Sequence, residues 1–150
     1  MFINELNLDL DILLRKFIEQ ESELLIVNAS EQAITNRLAR LIEQNIANWH
    51  VDCEYNRDMY SIKKLKYALS EHGDIADRSV VPDIIVHHRL TNENLLAIEI
   101  KKDTNPANRF KDHAKLTAFI QQLGYQYTLF VDFHIDRVNP GIKDIAFVAA

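Results

Sequence analysis

The sequence predicts an α/β fold, a mixed sheet with helices on its faces, and three observations carry that expectation. Apolar residues recur at helical spacing in residues 6–20, 31 to about 48, and 107–123. Strand-like runs stand at 49–56, 80–88, 94–101, 127–133 and 145–148. A helix separates the third of these runs from the fourth, and a helical crossover joins parallel strands. After an extra N-terminal helix, the order is helix, strand, strand, strand, helix, strand.

The first helix is read from Leu10, Leu13, Leu14, Phe17 and Ile18, and the apolar run Leu24 to Val27 follows it. Ser30 is a suitable N-cap for the second helix, whose apolar stripe is Ile34, Leu38, Leu41, Ile42 and Ile46. In the first strand Val51, Cys53 and Tyr55 alternate with Asp52, Glu54 and Asn56. Residues 57–79 read as a polar connection with a short helix around 62–69, closed by a turn at Gly73 and Asp74. The second and third strands are joined at Leu90 to Glu93, short enough for an antiparallel hairpin. Asn105-Pro106 breaks the chain before the third helix, which carries Leu116, Phe119, Ile120 and Leu123 and ends at Gly124.

The 150 residues suit one domain with its own core, and 47% apolar with 26% charged residues is ordinary for a globular chain. No run approaches the ~20 apolar residues that cross a bilayer, and the acidic start, MFINELNLDLD, does not resemble a secretory signal. The lone Cys53 cannot form an internal disulfide and reads as a small buried side chain. These features lead us to expect a cytoplasmic protein away from membranes. The net charge of −5 argues against indiscriminate binding to nucleic acid through a basic surface. Basic residues still gather locally, at Lys63, Lys64 and Lys66, at Arg78, at His87 to Arg89, and at Arg109, Lys111 and Lys115. With three glycines in the chain there is no Gly-rich phosphate loop.

Chemistry concentrates in the two most apolar strands. Alternation puts Asp83, Ile85 and His87 on one face and, on the neighbouring strand, Ala97, Glu99 and Lys101 on one face. Charged side chains there cost several kcal/mol each if left unpaired. A divalent cation offers one solution, because Mg²⁺ takes one or two carboxylates and completes its shell with other oxygens. Asp83 and Glu99 would supply the carboxylates and the Ile100 carbonyl a further oxygen. Lys101 would orient or help deprotonate an attacking water and offset phosphate charge. A plain salt bridge from Lys101 to Asp83 or Glu99 is the alternative.

Pro82-Asp83, fifteen residues, then Glu99-Ile100-Lys101 resembles the signature of the PD-(D/E)XK nuclease superfamily, which includes restriction endonucleases and Holliday-junction resolvases. The resemblance covers about residues 29–135, with residues 57–79 as an insertion. It implies a restriction endonuclease-like sheet with core order α-β-β-β-α-β. It also implies a nuclease that hydrolyses DNA with Mg²⁺ or Mn²⁺, Asp83, Glu99 and Ile100 acting as metal ligands. By the same resemblance Glu31, which falls within the apolar stripe of its helix, would hold a metal-bound water or a second metal. Favourable interaction with the helix dipole explains a first-turn Glu equally well. Asp112 and Lys115 are candidate auxiliary residues of the third helix, while Gln121 and Tyr125 match one branch of the superfamily only faintly. A homodimer is expected, since a chain of this size offers little surface for wrapping a duplex. The rival reading is a catalytically silent nuclease-like module that binds nucleic acid or protein. His87 and His88 are read as DNA-contacting or partly exposed rather than as zinc ligands, and Asp52, Glu54 and Arg57 as surface charges.

Overall fold

A computed structural model describes residues 1–53 and 81–150, together with the backbone of two strands between them. Two short strands, β1 (Phe2–Ile3) and β2 (Leu8–Asp9), pair around a single 3₁₀ turn at Asn4–Leu6. The helices are α1 (Leu10–Ile26), α2 (Glu31–Asn45) and α3 (Arg109–Leu123). The main sheet holds β3 (His50–Cys53), β6 (Ile84–His87), β7 (Asn94–Lys102), β8 (Tyr127–His134) and β9 (Gly141–Ala149) in that spatial order. Only β7 and β8 run parallel among these neighbours, as the α3 crossover between them requires. The remaining strands, β4 (Lys64–Ala68) and β5 (Ile75–Ser79), form a separate antiparallel pair.

Each helix begins where its sequence satisfies the orphan amides of the first turn. Asp9 Oδ1 accepts from the Asp11 and Ile12 amides at 2.9 and 3.3 Å, so α1 starts at Leu10. That is four residues later than the apolar spacing suggests, because Asn7 takes a left-handed conformation (φ 48°) that no helix accommodates. At its other end α1 runs on through the apolar run to Ile26, past a non-helical step at Glu21 whose carboxylate is held by Arg37 at 2.7 Å. Ser30 Oγ caps α2 by accepting from the Ala33 amide at 3.1 Å, and Asn108 caps α3 at the Phe110 amide at 2.9 Å. Gly124, at φ 73°, closes α3 in the left-handed region open to glycine.

Strand alternation sorts the sheet into two unlike faces. Ile84, Val86, Leu96, Ile98, Ile100, Leu129, Val131 and Phe133 join Phe17, Ile34, Leu38 and Ile42 of α1 and α2 in the larger apolar core. The opposite face meets α3 through a smaller cluster, Ile85, Ala97, Ala118, Phe119 and Tyr125. Helices thus cover both faces, and the α/β class with a mixed sheet is as expected.

Three expectations are corrected. Residues 64–68, inside the segment read as a short helix around 62–69, form a strand. Ile62, Leu65 and Leu69 suggest a helical period, but the alternation Lys64-Leu65-Lys66-Tyr67 is also that of a strand, and pairing with β5 decides it. The last strand is nine residues long and pairs along the whole of β8. Asp83 lies in the bend just before β6 rather than within it. The expected turn at Gly73 and Asp74, Glu54 to Asn56 of the first strand, Arg57 and Lys63 lie outside the described residues, and for Lys64, Lys66 and Arg78 only the backbone is described. Among the described residues no helix is long and apolar enough to cross a membrane.

Candidate active site

The α3 face of the sheet becomes polar toward one end. Along β7 the residues on this face run Ala97, Glu99, Lys101, and in register beside the last two stand Phe130 and Asp132 of β8. Asp83 approaches from the bend before β6, and its Oδ2 accepts the Ile100 amide at 2.8 Å. The β6–β7 ladder is registered as far as Ile84 opposite Ile98, so the Asp83 side chain takes up a β7 amide just past its end. From above, the first two turns of α3 bring in Asp112 and Lys115.

Glu99 is buried to 3% of its surface. Its Oε2 lies 3.4 Å from the Lys115 ammonium. Burial, reinforced by the nearby Asp83 carboxylate, pushes its carboxyl up to about 8, against the partial relief given by Lys115 and Lys101. Burial likewise raises Asp83, opposed by the Ile100 amide and the two lysines and assisted by Glu31. Asp112 is as buried as Glu99. Its Oδ1 lies 3.8 Å from Lys101 Nζ and 3.7 Å from Lys115 Nζ, while its Oδ2 has no hydrogen-bond partner among the described residues.

The structure therefore brings Asp83, Glu99 and Lys101 to one place, with Asp112 and Lys115 beside them. Glu31 stands at the margin, close enough for its charge to act on Asp83. Its Oε2 accepts from the Lys102 amide and from Asn105 Nδ2, both at 3.0 Å, so it ties the start of α2 to the loop after β7. The Ile100 amide is engaged by Asp83. Among the described residues no three His, Cys, Asp or Glu side chains gather closely enough to hold a metal ion as a set. A cation here would depend on Asp83 and Glu99, with backbone, water or substrate oxygens completing its shell. The donor chemistry fits a hard divalent ion, because two carboxyls raised chiefly by burial would both gain from it.

Sequence reasoning missed the framework around this site. Arg109 donates to Asp132 Oδ2 at 2.7 Å and to the carbonyls of Ala107, Lys102 and Asn105 at 2.7, 2.9 and 2.9 Å, which clamps the loop between β7 and α3. Asp103 accepts from the Ile135 amide at 3.0 Å and pairs with His134 at 2.5 Å. Arg109, counted among the local basic residues, is thus committed inside the protein. His87 and Arg89 both engage Asp52, at 2.7 and 2.6 Å. His88 meets Glu93, donates to the Asn48 carbonyl at 2.7 Å and stacks on Trp49 with ring centres 3.8 Å apart. Asp52 and the two histidines hold β3 to β6 and to the β6–β7 turn; His88 is partly exposed, as one of its two readings had it, whereas His87 is buried.

Comparison of the chain with protein-family models, with curated proteins and with solved structures returns no match.

Proposed function

We propose that this chain is a metal-dependent nuclease with a restriction endonuclease-like core, hydrolysing phosphodiester bonds of DNA. One observation carries the reading. Asp83 and Glu99 converge at the buried, polar end of the β6–β7 pair with Lys101 two residues on, beneath the crossover helix that makes β7 and β8 parallel. The order α2, β3, β6, β7, α3, β8 agrees with the core that the sequence resemblance implies.

Asp83 and Glu99 would hold Mg²⁺ or Mn²⁺, which when bound supplies charge to a scissile phosphate and lowers the cost of ionising water. Glu99 would hold the ion in its deprotonated form. Lys101 Nζ orients the attacking water and balances charge developing on the phosphate. Glu31 keeps the Lys102 end of β7 in place. Apolar packing of Ile85, Ala97 and Phe119 on the same face of the sheet lowers the local dielectric and strengthens each of these interactions.

The test is incubation of plasmid and of single-stranded DNA with the protein, with and without Mg²⁺ or Mn²⁺. Metal-dependent cleavage lost in Asp83→Ala and in Lys101→Ala is the expected result, and cleavage surviving either substitution overturns the assignment. The pairing of Lys115 with both Glu99 and Asp112 favours a second reading, an ion-paired module that binds without catalysis. Absence of cleavage together with absence of metal binding in calorimetry selects it. The expected homodimer is checked by sedimentation of the same preparation.

A further inference from the structure

Asp112 is an expensive residue to keep where it stands. It is 2% exposed, and its Oδ2 has no hydrogen-bond partner among the described residues. Leaving one buried acceptor unsatisfied costs about 1–3 kcal/mol. The first turn of α3 favours a negative charge, which explains why a carboxylate is tolerated but not why it points inward. The other oxygen supplies a reason. Asp112 Oδ1 lies between two ammonium groups, Lys101 Nζ of β7 at 3.8 Å and Lys115 Nζ of α3 at 3.7 Å.

Two ammonium groups crowded into a poorly hydrated pocket repel each other and, on flexible stems, swing out to water. A single carboxylate oxygen between them offsets the repulsion and draws both ammonium groups toward it. Lys115 is then also in reach of Glu99 Oε2 at 3.4 Å, on the same face as Lys101. We infer that Asp112 is the positioning residue of the site, holding Lys101 and Lys115 as a pair of cationic arms over Glu99 that receive the phosphate of a nucleic-acid substrate. The identity of the anion rests on the nuclease reading above; the gathering of the two lysines does not.

The experiment therefore reads geometry and catalysis separately, on the full chain. Brief treatment with an amine-acetylating reagent is followed lysine by lysine by mass spectrometry, with the exposed Lys111 of the same helix as internal control. In the wild-type chain Lys101 and Lys115 label about tenfold more slowly than Lys111. Equal labelling of the three overturns the inference without any variant having to fold. In Asp112→Asn, which keeps the side-chain shape, labelling of both rises about fivefold while Lys111 is unchanged. The turnover number for an oligonucleotide with Mn²⁺ falls about tenfold and Mn²⁺ affinity by calorimetry stays within about twofold. A folded Asp112→Asn chain with wild-type labelling and turnover overturns the role of Asp112 and leaves the nuclease reading intact. A wild-type chain that cleaves nothing but shows the protected lysine pair, released in Asp112→Asn, ends the nuclease reading and keeps the positioning role.

Discussion

At Glu99 a carboxyl meets burial, a second carboxylate and two lysines at once, and burial dominates. Its ordinary value of 4.5 is raised to about 8 in the folded chain. The folded state thus binds more protons than the unfolded state across that window, and stability falls as pH rises through it. Glu99→Gln, neutral at every pH, should melt at nearly the wild-type temperature near pH 5 and a few degrees higher above pH 8, roughly 2–4 °C for each kcal/mol recovered. Thermal unfolding in metal-free buffer checks this, and an unchanging difference from pH 5 to 9 would show that the lysines fully compensate the buried charge. On the proposed reading the same proton must leave before a cation is held there. Mn²⁺ affinity measured by calorimetry should weaken below pH 8, by up to about tenfold per pH unit. His88 provides an independent residue-scale expectation. The Glu93 carboxylate and the Asn48 carbonyl raise its imidazole above the usual histidine value, and its ring stacks on the chain's single tryptophan. Fluorescence of Trp49 should titrate with a midpoint above 6.5, and Glu93→Gln should lower that midpoint.

Among the elements, those whose signals are local were legible in the sequence. Ser30 and Gly124 mark helix ends by chemistry confined to a few residues, and the hairpin between β6 and β7 follows from a short polar turn between two apolar strands. Alternation alone put Glu99 and Lys101 on one face. What stayed illegible depends on how elements lie against each other. Asp112 was named with Lys115 as a candidate auxiliary residue, but its burial between Lys101 and Lys115 shows only once α3 is laid over the Glu99 face. The Arg109–Asp132 pair links residues 23 apart, and Asp103–His134 links residues 31 apart. Glu31 was legible as an inward carboxylate, but its partners were not. Gly124→Ala tests the local kind of claim. An added Cβ there meets nothing within 4 Å, so its cost comes from the positive φ alone, about 1 kcal/mol in urea unfolding. Arg109→Met tests the other kind. It leaves buried Asp132 unpaired and releases three loop carbonyls, for an expected loss of about 3–5 kcal/mol.

Across the whole molecule the two faces of the sheet divide the work. The α1–α2 face supplies most of the hydrophobic burial, while the α3 face gives up much of its apolar area to charged groups. Leu38→Ala, on the first face, should lose about 2–5 kcal/mol of stability without altering the arrangement of Asp83, Glu99 and Lys101. The stability of this chain and its candidate chemistry are therefore separable by mutation, because a sheet one strand thick stands between them. Glu31 is the exception, and it has a consequence for how the protein comes into being. Its two acceptor bonds reach 71 and 74 residues forward, to Lys102 and Asn105, and the loop they hold is locked by an arginine whose own partner, Asp132, lies further on still. During synthesis α1 and α2 emerge and can pair long before any of those residues has left the ribosome. The polar end of the sheet is consequently assembled last, once β8 has been made, and until then Glu31 and the loop it holds lack the arginine clamp that fixes them.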